Sequence, residues 1–344
     1  MLRGAGMAKP AYDFIDATFA FFQAIARRPA GAAWISLWHL VLYAGLTVLV
    51  LALVAPFFAM AVSAAADGRE PSAAELLSAG SGLVAGITVS VLGFLLAALI
   101  VQGAWLRLLA RDEVAPIIPL RFGADEVRLL GVNLVFIGFN LVGWTAVVIV
   151  FAAVNAGVFA ASGAGEPGAG VLIAGGLINL GLTLFVGAAA IILMIRFAAA
   201  PGLSVRQRAF KLFDSFAATK AITAWMALSY LTIIIGYMVG SVMVWAVQQV
   251  IILLAASDLI ATVSALENTQ DPELVLRLLG EALLQPGVLG AFAVVIVLQM
   301  VLQIVFEGSW HGVGVYAARR EAGDIKTESD QAPAASVGAA PHQG

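Results

Sequence analysis

No cysteine occurs in these 344 residues, histidine occurs three times, and charge is scarce. Without cysteine there are no disulfides, no thiolate metal ligands and no Cys nucleophile. The three histidines (His39, His311 and His342) stand too far apart in sequence to suggest a metal cluster. Charged residues make up 11% of the chain, against about 25% in an ordinary soluble domain. At 62% hydrophobic, such a chain cannot clothe itself in polar groups, so its solvent is lipid. The net charge of -3 gives no electrostatic footprint for a nucleic-acid partner. Catalytic signatures are missing too: no GxSxG, Walker or HExxH pattern occurs, and no paired carboxylates lie within an apolar run. The chain therefore reads as a non-enzyme with no cofactor and no metal.

What the sequence does contain is long apolar runs. A membrane-crossing helix needs about 20 mostly apolar residues. Six stretches qualify, at about 33–62, 83–109, 130–160, 171–198, 222–255 and 287–315. They are too long and too evenly apolar for barrel strands, which are short and alternate. The fold class that follows is all-α: a polytopic helical bundle of six transmembrane helices, occupying residues 1–320, with a disordered tail at 321–344. The segment before the first run carries no cleavable signal pattern.

Positive charge is distributed unevenly around these runs. Of the 18 Lys and Arg, all but Arg69 and Arg277 fall before span one, between spans two and three, between four and five, or after six. The positive-inside rule then places both termini in the cytoplasm. The opposite loops carry mainly acids, among them Asp67, Glu70, Glu166 and Asp258.

Short amphipathic segments precede the odd-numbered spans. In 12–28, Ile15, Phe19, Phe22 and Ala26 recur at helical spacing, with Asp13, Asp16 and Gln23 elsewhere. In 204–220, Phe210, Phe213 and Phe216 line one side. The middle segment, 119–133, is shorter. Such helices lie in the headgroup layer, basic side toward anionic lipid. Arg27, Arg28, Arg206, Arg208 and Lys211 are the candidate headgroup contacts. The recurrence is consistent with three copies of one unit: interfacial helix, span, outer loop, span. In the longest outer connection, Asp271-Pro272-Glu273 opens a Leu-rich stretch and predicts a short helix.

Within the spans the sharpest feature is a polar stripe. Gln299, Gln303, Glu307 and His311 fall at intervals of four on span six, each step advancing about 40° beyond a full turn. Glu307 is the one acidic residue in a predicted span, and a carboxylate in hydrocarbon must be paired, protonated or hydrated. Arg196, at similar depth at the end of span four, is the expected partner. Two readings stand: a relay for protons or substrate, or a structural ion pair with glutamines bonding neighbouring helices. Asn140, Asn179, Gln248, Gln249 and His39 read as groups that hydrogen-bond between helices. Gly236/Gly240 and Gly308/Gly312 have GxxxG spacing and predict close helix contact. Trp38, Trp105, Trp225 and Trp310 sit where aromatic anchors are expected.

The stretch from Arg121 to Leu130, with Gly123, Asp125, Glu126 and Arg128, resembles an R-[LF]-G-x-D-E-[LV]-R-L-L segment of uncharacterised polytopic membrane proteins from alphaproteobacteria. The run from Arg196 through Pro201 to Lys220 is similar to their exit from the fourth span, and Tyr316 to Arg320 to their exit from the last, with the residue order changed. In layout those proteins are similar to the membrane domain attached to some glycerophosphoryl diester phosphodiesterases, whose catalytic barrel has no counterpart here. The resemblance implies a six-helix bundle in the bacterial inner membrane and no activity. Two functions are expected. One is a non-enzymatic component organising lipids or partner proteins, including copies of itself, through its basic interfacial helices. The alternative is a small transporter or permease using the stripe on span six.

Overall fold

The computed structural model describes residues 11–66, 68–161, 168–255 and 285–325, with isolated positions 274, 278 and 281. Among them all regular structure is helical, and six helices are long and apolar enough to cross a membrane. The chain is a multi-pass membrane protein.

Two short helices, α1 (Phe14–Thr18) and α2 (Ala20–Arg27), precede span one, which is α3 (Pro29–Ala66). Span two combines α4 (Ala73–Thr88), a π-helical turn (Val89–Gly93) and α5 (Phe94–Arg111). Span three is α6 (Ala124–Ala161), and span four is α7 (Ala169–Phe197) extended by α8 (Ala200–Arg206). After α9 (Asp214–Thr219) come span five, α10 (Thr223–Ala255), and span six, α11 (Pro286–Glu321). Helix starts have local causes. Asp13 accepts the Asp16 amide at 2.9 Å to cap α1, Ser72 and Glu75 form a reciprocal capping box on α4, and Pro286 opens α11.

Each predicted apolar run falls on one of these helices, but the helices are longer. At about 1.5 Å per residue, the 38 residues of α6 extend about 57 Å, nearly twice a hydrocarbon core of about 30 Å. A helix of that length must tilt or project beyond the apolar layer.

The projecting part is where the protein core lies. Consecutive spans pair, α3 with α4 and α5, α6 with α7, and α10 with α11. The three pairs meet at the end that carries the positive charges. There every residue of α8 from Ala200 to Val205, of α5 from Gly103 to Ala110 and of α11 from Gly312 to Ala318 is buried. Helix α11 is the hub, touching α1, α2, α3, α5, α8 and α9 as well as α10. Farther along the spans large apolar side chains point outward, Trp144 68% and Phe185 73% exposed, as suits a lipid surround.

The threefold plan is not what the chain builds. Separate helices stand before span one, but residues 112–123 are non-helical and the rest of the middle segment is simply the first turns of α6. Before span five the helix α9 has six residues, and the start of that predicted segment completes α8 instead. The predicted helix after Asp271 and the tail at 326–344 lie outside the described residues, apart from helical positions 274, 278 and 281.

Candidate lipid-contact site at the basic end

The N-terminal helices α1 and α2 lie against α11, and the contact is made possible by glycine. A Cβ on Gly308 would run into the Phe21 ring, and one on Gly312 would reach 3.0 Å from the Phe21 amide nitrogen. Phe21 is completely buried and meets Trp105 of α5 edge-on at 5.3 Å. The Gly308/Gly312 pair therefore brings a helix of the same chain close. Trp105, 2% exposed, belongs to this core and is not an interfacial anchor. At the other end of the pair, Tyr12 and Ser229 of α10 share a hydrogen bond of 3.1 Å, and the Tyr12 ring meets Tyr316 edge-on at 5.4 Å. Burial pushes the Tyr12 phenol above its ordinary range, so it stays protonated and keeps that bond.

The apolar face of α1–α2 is consequently split. Ala17, Phe21 and Ala24 face the protein, whereas Ile15, Phe19 and Phe22 are 64%, 49% and 44% exposed. Periodicity had marked the second set but missed Phe21, the residue that docks the helix.

Two clefts flank the helix pair. One, of about 290 Å³, lies between α1–α2, α10 and α11; it is apolar and lined by Phe19, Phe22, Ile233, Tyr237 and Phe306, with Thr18 and Ser309 at its wall. The other, of about 320 Å³, is polar and bordered by Asp16, Gln23, Arg27, Tyr316, Arg319 and Asp324.

Most of the candidate headgroup cations are engaged by the protein itself. Arg206 donates to the Ala110 carbonyl at 2.9 Å and pairs with Asp324. Arg208 lies 3.3 Å from Glu113, Lys211 2.7 Å from Asp214, and Arg27 3.7 Å from Asp112. Arg28, Arg121 and Lys220 are exposed and make no ion pair among the described residues. Of the five candidate headgroup cations, then, Arg28 is the one left without an acidic partner among the described residues.

The charge block after span two divides by depth. Asp125 bridges Arg111 at 2.7 Å and Arg128 at 2.8 Å in partly buried surroundings. Its neighbour Glu126 turns inward and pairs with Arg107; the side chains are 1% and 4% exposed. Arg107 also donates to the Pro119 carbonyl at 3.1 Å, and Glu126 accepts the Gly123 amide at 2.9 Å. Gly103 leaves the space, since a Cβ there would strike the Glu126 carboxylate. Sequence spacing alone offered no sign of this buried pair, because 19 residues separate its members.

The stripe on span six is not continuous in its contacts. Gln303 donates to Glu307 at 2.6 Å, while Gln299 accepts from Gln248 of α10 at 3.4 Å. Arg196 does not reach Glu307: no ion pair among the described residues joins them, and its guanidinium sits 5.1 Å over the Phe216 ring. Ser215 donates to the Arg196 carbonyl at 2.7 Å, which places this arginine against α9 instead. His311 is half-buried one turn beyond Glu307. Neither cleft touches Gln299, Gln303, Glu307 or His311. Among the other intramembrane polar groups, Asn179 bonds Asn155 at 3.1 Å and Gln248 bonds α11, as interhelical groups should, but Asn140 bonds its own helix. His39, 1% exposed, has no hydrogen-bond partner for Nδ1 among the described residues and packs on Tyr43 at 4.7 Å. Glu307→Gln keeps the acceptor for Gln303 and should leave stability within about 1 kcal/mol of the parent, read by unfolding in mixed micelles; a larger loss would mean the carboxylate charge holds the fold.

No protein family, no curated protein and no solved structure matches this chain.

Proposed function

We propose that this chain is a non-enzymatic component of a bacterial inner membrane, with its basic end at the cytoplasmic leaflet, that organises lipid around the docked helix pair α1–α2. The observation that carries the reading is the split face of that pair. Phe21 ties it to the span-six glycines while Ile15, Phe19 and Phe22 project outward beside an apolar cleft. A helix whose only task was to close the bundle would bury those rings. Exposed and held next to spans five and six, they offer a rigid surface for acyl chains at headgroup depth. Arg28, Arg121 and Lys220 add positive charge where anionic lipid is attracted. Gln299 and Gln303 are each held by protein partners, which favours a packing role for the stripe over a passage for substrate.

The test is native mass spectrometry of protein extracted with its lipids. Phe19→Ser with Phe22→Ser should reduce the co-purifying phospholipid by about half or more while α-helical content is retained, as expected when two side chains each worth about 1.5–3 kcal/mol of apolar burial are removed. Unchanged lipid retention would defeat the proposal, and a transported solute retained beside Glu307 would favour the transporter.

A further inference from the structure

We propose that the polar cleft between α2 and the end of α11 is a phosphate-binding site, and that in the resting protein the chain's own Asp324 occupies its cationic rim. The inference rests on the lipid-organising reading and names the group that would be recognised at the basic end.

The cleft is bordered by Arg27 and Arg319 and by Asp16 and Asp324. Asp16 is already committed, accepting from Gln23 at 2.9 Å. Arg319 is not: its Nε is buried without a hydrogen-bond partner, and it makes no ion pair among the described residues. Arg206, from α8, reaches the edge of the cleft through its ion pair with Asp324. Guanidinium groups with free donors around a common space are the arrangement that pairs bidentately with phosphate.

Asp324 supplies an internal substitute. Gly323, at φ +77, has the left-handed backbone that turns the chain back at the end of α11, and the turn delivers Asp324 to Arg206. Removing Asp324 would not release Arg206, which is also held by the Ala110 carbonyl. With Asp324 seated against Arg206, the carboxylates of Asp16, Asp112 and Asp324 balance the guanidinium groups of Arg27, Arg206 and Arg319. Once Asp324 leaves, the three guanidinium groups face only Asp16 and Asp112, and the surplus favours an incoming anion. At about 320 Å³ the cleft has room for a phosphate group with bridging water.

The phosphate could belong to a lipid headgroup or be free in solution, and the experiment separates them. Full-length protein in uncharged detergent is titrated with phosphatidylglycerol in mixed micelles, with phosphatidylcholine in the same micelles, and with inorganic phosphate. Asp324→Asn should tighten phosphatidylglycerol binding on the order of tenfold, the size of one charge-assisted contact. Arg319→Gln should weaken it by a similar factor and cancel the gain in the double variant. Competition by inorganic phosphate would show that the phosphate is what is recognised. Binding of inorganic phosphate without phosphatidylglycerol, still dependent on Asp324 and Arg319, would keep the site and assign it to a soluble anion. If Asp324→Asn binds all three probes as the parent does, the proposal is overturned, even should Arg319→Gln fail to fold. Loss of lipid in the Phe19/Phe22 variant alongside that result would leave the broader reading standing.

Discussion

Glu126→Leu should destabilise the protein by about 3–5 kcal/mol, because it strands the Arg107 guanidinium in a site it shares with little water. The pair is buried on both sides, and Arg107 would retain only the Pro119 carbonyl as a partner. The Gly123 amide would lose its acceptor as well. Arg107→Met alone should be comparably harmful, since it leaves the carboxylate uncompensated. The double variant, Arg107→Met with Glu126→Leu, should recover most of the loss, because it removes both desolvated charges together. Reversible unfolding in mixed detergent micelles reads all three. Two single variants whose losses simply add in the double would refute the pairing as the source of the effect. Asp125→Ala, by contrast, should cost less, because Arg111 keeps the Glu113 carboxylate and the Val205 carbonyl as partners.

Gly308→Leu should detach the N-terminal helices. The new side chain claims the space of the Phe21 ring, which packs there without clearance. Expelling a buried phenylalanine costs about 3–5 kcal/mol, more than the hydrogen bond between Tyr12 and Ser229 can offset. Limited trypsin digestion should then cut after Arg27 much faster than in the parent, while the six spans survive intact. Phe21→Ala should show the same cleavage through loss of the same contact. If digestion at Arg27 is unchanged in both, the glycine seat does not hold this helix. The consequence for function is direct: a detached pair no longer holds Phe19 and Phe22 beside spans five and six, so lipid retention should fall together with docking.

The spans were legible because hydrocarbon imposes a one-dimensional rule. Any segment that crosses it must be apolar for about 20 residues and must satisfy its own backbone, and composition records both requirements. Amphipathic spacing also marked a helix at 12–28, and it broke into α1 and α2 at Phe19 without losing its two faces. Reading the same device into the segment before span three failed for a physical reason. There Phe122, Val127 and Leu130 are exposed and Leu129 is buried, but residues 112–123 are not helical and the remainder is the start of α6, so the spacing reported the first turns of a span and not a separate helix. Likewise, depth along the chain made Arg196 a plausible partner for Glu307, but azimuth around each helix turned the arginine toward Phe216.

By itself, then, the amino-acid order determined that this protein is all-helical, crosses a membrane six times and concentrates its positive charge at one end. Those properties sum over local composition and need no knowledge of neighbours. Only the tertiary structure decided that Glu126 is buried with Arg107, that two glycines seat Phe21, and that Asp324 folds back on Arg206. Each of these joins residues far apart in the chain, and such contacts depend on which way helices turn their faces when they meet.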